Sequence, residues 1–115
     1  MTAEDLSRLQ RVADLMLDHR LAHLRKTAEA KAQSEAALAA LARPRPEGAD
    51  LEGAAAALAA MAYQRWADAR RKEINQTLAR QTHDWLEARA AAQLAFGKAD
   101  ALRRLTERQA RSRPR

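Results

Sequence analysis

Stepping alternately three and four residues along the first third of the chain lands on Leu6, Gln10, Ala13, Leu17, Leu21, Leu24 and Ala28, then on Lys31, Glu35, Leu38 and Ala42, with Leu9, Met16 and Leu41 beside the stripe. That recurrence is the period of a helix with one apolar face, strong in its N-terminal half and weakened where Lys31 and Glu35 enter. A second run passes through Ile74, Leu78, Gln81, Trp85, Ala88, Ala92, Phe96 and Ala99, whereas Leu51, Ala55, Leu58 and Ala62 keep another phase. A stutter between Ala62 and Ile74 reconciles the two and implies altered supercoiling there.

The ends of these helices are marked. Thr2-Ala3-Glu4-Asp5 has the spacing of a capping box, in which the hydroxyl and a carboxylate three residues on satisfy orphan amides. Pro44-Arg45-Pro46-Glu47-Gly48 is the one strong breaker, and Asp50 is the best N-cap for the second helix. The pattern predicts helix one over about 3–43, a turn at 44–49 and helix two over about 50–111, a single hairpin across residues 1–115. The fold class is therefore all-α, a two-helix antiparallel coiled-coil hairpin with a longer, overhanging C-terminal helix.

A short connection centred on the prolines pairs residues whose numbers sum to about 95. Leu17 is then expected to meet Leu78, Leu21 to meet Ile74, and Leu9 or Gln10 to meet Trp85. Leu6 falls near Ala88, so helix two is expected to run roughly 15 to 20 residues beyond the start of helix one, about 25 to 30 Å. Phe96, Leu102, Arg103, Arg104, Leu105 and Arg108 lie in that overhang. Apolar side chains there require another protein, another copy of the chain, or water.

Composition reinforces the helical reading. Thirty of 115 residues are Ala and 15 are Leu, while Val and Ile occur once each, so strand formers are almost absent. Removing Ala from the 54 hydrophobic residues leaves 24 larger side chains, which suffice for a narrow seam and not for a thick globular core. No apolar stretch is long enough to span a bilayer, and the first residues lack the layout of a secretory signal. Without Cys there is no disulfide framework, which fits a cytoplasmic location.

The net charge of +6 is unevenly placed. Residues 98–115 carry seven Lys and Arg against two Asp and Glu, whereas residues 1–97 are nearly balanced. The C-terminal end is a cationic tip, and the balanced charges elsewhere read as a solvated helical surface.

Candidate chemistry changes this picture little. His19 and His23 stand four apart on a helix, but no third ligand or general-base carboxylate accompanies them, so no metal or cofactor is implied. There is no Gly-rich phosphate loop, Cys or nucleophile elbow, and an enzyme is not expected. Trp85 fits the seam. Tyr63 and Trp66 either flank the seam or form an exposed aromatic anchor, and the flanking position is favoured.

The stretches Arg65-Trp66-Ala67-Asp68-Ala69-Arg70-Arg71-Lys72-Glu73 and Ala95-Phe96-Gly97-Lys98-Ala99-Asp100-Ala101-Leu102-Arg103-Arg104-Leu105 lie in a longer Ala/Arg/Glu-rich helix two, preceded by a shorter helix one and a break. In that layout the chain resembles the FliJ/YscO stalk proteins of flagellar and type III secretion export. The resemblance implies a rod whose terminal end enters the pore of a hexameric export ATPase while another part contacts the export gate. By that analogy Phe96, Leu102, Arg103, Arg104 and Arg108 form the ATPase-contacting surface, and Tyr63 and Trp66 a second contact. It also implies a monomer, or at most a weak dimer, in isolation.

Two other readings stay open. A sequence pI near 10.7 and an arginine-rich tail suit a small nucleic-acid-associated helical protein, against which the balanced body counts. A self-associating coiled coil, its overhangs paired with one another, is the third.

Overall fold

In a computed structural model of the chain, residues 1–43 and 52–112 are described, and they form two α-helices and no strand. Helix α1 (Ala3–Ala42) has 40 residues and α2 (Gly53–Arg111) has 59. The fold is an all-α helical hairpin, the two helices packed against each other. The expected turn at 44–49 and the Asp50 cap lie outside the described residues.

Local chemistry explains the helix ends. The Thr2 amide donates to the Asp5 carboxylate at 3.1 Å and the Asp5 amide donates to the Thr2 hydroxyl at 3.1 Å, the reciprocal pair of a capping box. The Thr2 amide, and after it the Thr2 hydroxyl, holds the Asp5 carboxyl below its ordinary value. Gly53 opens α2 with a φ of +61°, a left-handed conformation in which any Cβ is strained. Gly97 is different, because α2 passes through it unbroken and a Cβ there meets nothing within 4 Å. Gly97→Ala is expected to raise stability by about 0.5–1 kcal/mol, through reduced backbone freedom in the unfolded chain. Urea unfolding followed by circular dichroism checks this, and a loss of stability would mean that the helix needs a flexible point there.

The chain divides into two compact units, residues 1–28 with 84–115, and residues 29–83. In the first unit, Leu6 is buried and Gln10, Ala13, Leu17, Leu21 and Leu24 are half-buried, as the α1 stripe predicts. The facing side of α2 is alanine: Ala88, Ala92, Ala95 and Ala99 are all buried. Gln10 Nε2 donates to the Ala99 carbonyl at 3.3 Å and Gln109 Nε2 to the Met1 carbonyl at 3.4 Å, so the helices run antiparallel. Gln10 Oε1 is buried without a hydrogen-bond partner among the described residues.

That register corrects the expected one. The paired residue numbers total 109 and 110 rather than about 95, and the C-terminal end of α2 lies beside the start of α1 with no overhang. Gln10 meets Ala99 and not Trp85; Leu17 and Leu78 belong to different units, as do Leu21 and Ile74. Two seams rich in alanine look alike when slid by about four helical turns, since similar residues recur every three or four positions, and the short-loop assumption selects the wrong alignment.

In the second unit, Ile74 and Ala67 are buried. Ser34 and Gln81 share a hydrogen bond of 2.5 Å, and Ala37 and Ile74 line one small hollow, so the pairing is again antiparallel. By that register Ala42 stands opposite about residue 70, and the surplus length of α2 within this unit falls at its N-terminal side. The polar interruption at Lys31 is accommodated by an ion pair with Glu35 on the next turn. Ser34, Ala37 and Leu41 take the inward positions there, leaving Glu35 and Ala42 exposed.

The expected stutter is absent. Ala56, Ala59, Tyr63, Ala67 and Ile74 are the less exposed positions and recur without a phase change, whereas Leu58 and Met61 are exposed. Large side chains mislead the trace because alanines make the seam. The same inversion displaces Phe96, which is exposed while its neighbour Ala95 is buried.

Candidate functional site

The buried apolar residues among those described are Leu6, Ile74 and five alanines. A methyl group removed from water contributes far less than a leucine side chain, about 0.8 kcal/mol per carbon against 1.5–3 kcal/mol for the whole of a larger residue. Alanine on α2 lets the two helices approach closely, and several larger side chains stand beside the contact instead of within it. In the first unit these form an open apolar surface.

Its centre is a groove of about 430 Å³ between α1 and α2. Leu9, Val12 and Met16 supply one wall and Leu94 and Ala101 the other, with Ala13 and Ala95 between them. Leu94 is 63% exposed, so most of its side chain faces solvent at the groove. A second hollow of about 260 Å³ continues the surface along α1, where Leu15 and His19 join Val12 and Met16. The exposed apolar positions thus recur at helical spacing on a second stripe beside the seam, the arrangement of a helix with two neighbours to satisfy.

Two cations enter this apolar lining, Arg20 from α1 and Lys98 from α2, and among the described residues no Asp or Glu lines it. Neither cation has an ion pair among the described residues. The unit as a whole carries thirteen Lys and Arg against eight Asp and Glu, a net +5 of the chain's +6.

The residues singled out from the sequence are dispersed. Leu102 lines the groove and is half-buried, but Phe96, 56% exposed, does not line it. Arg103 and Arg104 both engage Asp100, at 3.4 and 3.1 Å, so their charge is shared with a carboxylate of their own helix. Such exposed pairs are weak, and a partner could recruit either guanidinium at small cost. Arg108 is exposed and has no ion pair among the described residues. Tyr63 and Trp66 lie in the other unit, their ring centroids 5.8 Å apart. Tyr63 is half-buried, while Trp66 is 56% exposed.

Sequence reasoning missed Val12, Arg20, Leu94 and Lys98. The available signal was a second apolar recurrence at Leu9, Val12 and Met16 and at Leu94, Ala101 and Leu105. Among the described residues, no helix is long and apolar enough to cross a membrane. No protein family, characterised protein or solved structure matches the chain.

Proposed function

We propose that this protein is a non-enzymatic interaction protein whose residues 1–28 and 84–115 form the docking unit. In the fuller form of this reading it is a cytoplasmic stalk component of flagellar or type III protein export that binds the export ATPase. The supporting observation is the set of large apolar side chains left outside the contact in that unit, Leu9, Val12, Leu15, Met16 and Leu94, where α2 buries only alanines, on a surface of net positive charge. Leu9, Leu15 and Leu94, left outside the contact between the helices, are free to contribute hydrophobic binding energy to a partner.

Within this reading Arg103, Arg104 and Arg108 offer guanidinium groups to acidic residues of the ATPase, alongside the apolar contacts of Leu102 and Phe96. Tyr63 and Trp66 offer an aromatic contact in the other unit, assigned to the export gate. Co-sedimentation of the purified protein with a hexameric export ATPase tests the assignment. Replacing Arg103, Arg104 and Arg108 together by Glu is expected to weaken association at least about tenfold, the loss of roughly three partly screened ion pairs, with helicity unchanged. Undiminished association sinks the arginine contact. Tight binding to arbitrary duplex DNA with a steep negative salt slope would instead make the docking unit a nucleic-acid surface.

A further inference from the structure

We infer that the groove between α1 and α2 in the first unit receives a single amphipathic helix of a partner protein, with one carboxylate on each flank of that helix's apolar stripe. This deepens the reading of the unit as a docking surface and is independent of the export assignment.

Shape and chemistry select that occupant. The lining runs from Leu9 to Arg20 on α1 and from Ala91 to Leu102 on α2, in each case eleven residue steps, or about 17 Å and three helical turns. Both walls are helices, so a third helix laid between them extends the existing packing, and its side chains at i, i+3, i+4 and i+7 reach Val12, Met16 and Leu94. Along the antiparallel register Arg20 and Lys98 stand about two and a half turns apart on opposite walls. Each is a cation at the edge of apolar surface with no carboxylate among the described residues to pair with, so an acidic flank on the incoming helix complements both.

The same charges disfavour other occupants. Two-fold pairing of this face with a second copy brings four such cations into one interface whose described groove lining contains no Asp or Glu. Duplex DNA satisfies Arg20 and Lys98 but not the Leu and Met walls.

The probe is a fluorescein-labelled synthetic peptide of 14 residues with leucines at i, i+3, i+4 and i+7 and one Glu on each flank, compared with the same peptide carrying Lys in place of Glu. Fluorescence anisotropy against the full chain is expected to show saturable binding of the Glu peptide, about tenfold tighter than the Lys peptide, which corresponds to two partly screened ion pairs. Arg20→Glu with Lys98→Glu is expected to reverse that preference. Leu94→Glu, at an exposed position, is expected to weaken both peptides at least about tenfold with an unchanged circular dichroism spectrum.

Equal binding of the two peptides, or a preference that survives the charge reversal, overturns the inference. So does sedimentation of the full chain as a dimer that Leu94→Glu converts to monomer, because the groove then belongs to a second copy. Binding to anionic phosphatidylserine vesicles without peptide binding overturns it in favour of a lipid surface. Failure to bind the export ATPase with the peptide preference intact removes only the stalk assignment; ATPase association without the preference removes only this one.

Discussion

Ala99→Leu is expected to lower the stability of the protein by about 2–3 kcal/mol, although it adds apolar volume to the contact between the helices. Ala99 is fully buried, with 0% of its surface exposed, and its carbonyl accepts a hydrogen bond from Gln10 across the seam. Three more carbons cannot enter without separating α1 from α2, which breaks that bond and uncovers Leu6 and the neighbouring alanines Ala92 and Ala95. By contrast, Leu94→Ala, on an exposed helix position, is expected to stay within about 0.5 kcal/mol of the parent. Equilibrium urea unfolding of the two variants provides the comparison. Should the leucine deletion be the more damaging of the pair, the seam is not where the isolated chain derives its stability.

Ile74→Ala is expected to cost about 2–4 kcal/mol and to act first on residues 29–83. Ile74 is the only large side chain in that unit that is buried among the described residues; its other buried member is Ala67. Ala37 on α1 lines the same hollow of about 220 Å³, so truncation enlarges an existing space instead of letting the helices close over it. Native-state hydrogen exchange should show protection lost in residues 29–43 and 53–83 before it is lost at Ala88, Ala92 and Ala99. A uniform decrease across the chain, or a cost below about 1 kcal/mol, would falsify the assignment of Ile74 as the anchor of its unit.

These contrasts explain which features are legible in the residues alone. The capping spacing at Thr2 to Asp5 suffices because both hydrogen bonds are made within one turn. The inward stripe from Leu6 to Leu24 suffices because leucines recur on it at helical spacing, at Leu6, Leu17, Leu21 and Leu24. The periodic trace fails where that rule reverses. Phe96 and Leu58 draw it outward, and Ala95, Ala59 and Ala56 are passed over, because leucine and phenylalanine take the core by default and alanine counts as neutral filler. Position near the end of the chain makes Arg103 and Arg104 look free, yet their shared carboxylate, Asp100, lies only three and four residues back at ordinary ion-pair spacing.

By itself the sequence determined that the chain is helical, that a break separates the two helices, where the first begins, and how charge is shared along it. Each of these depends on residues within a turn or two of one another. The tertiary structure alone decided the register, and with it that α2 does not extend past the start of α1, which side chains line the open groove, and that Arg20 and Lys98 stand on its opposite walls. Helical period is a local property, but alignment between two alanine-rich helices depends on small differences in packing summed over many turns, and those differences exist only once both helices are in place.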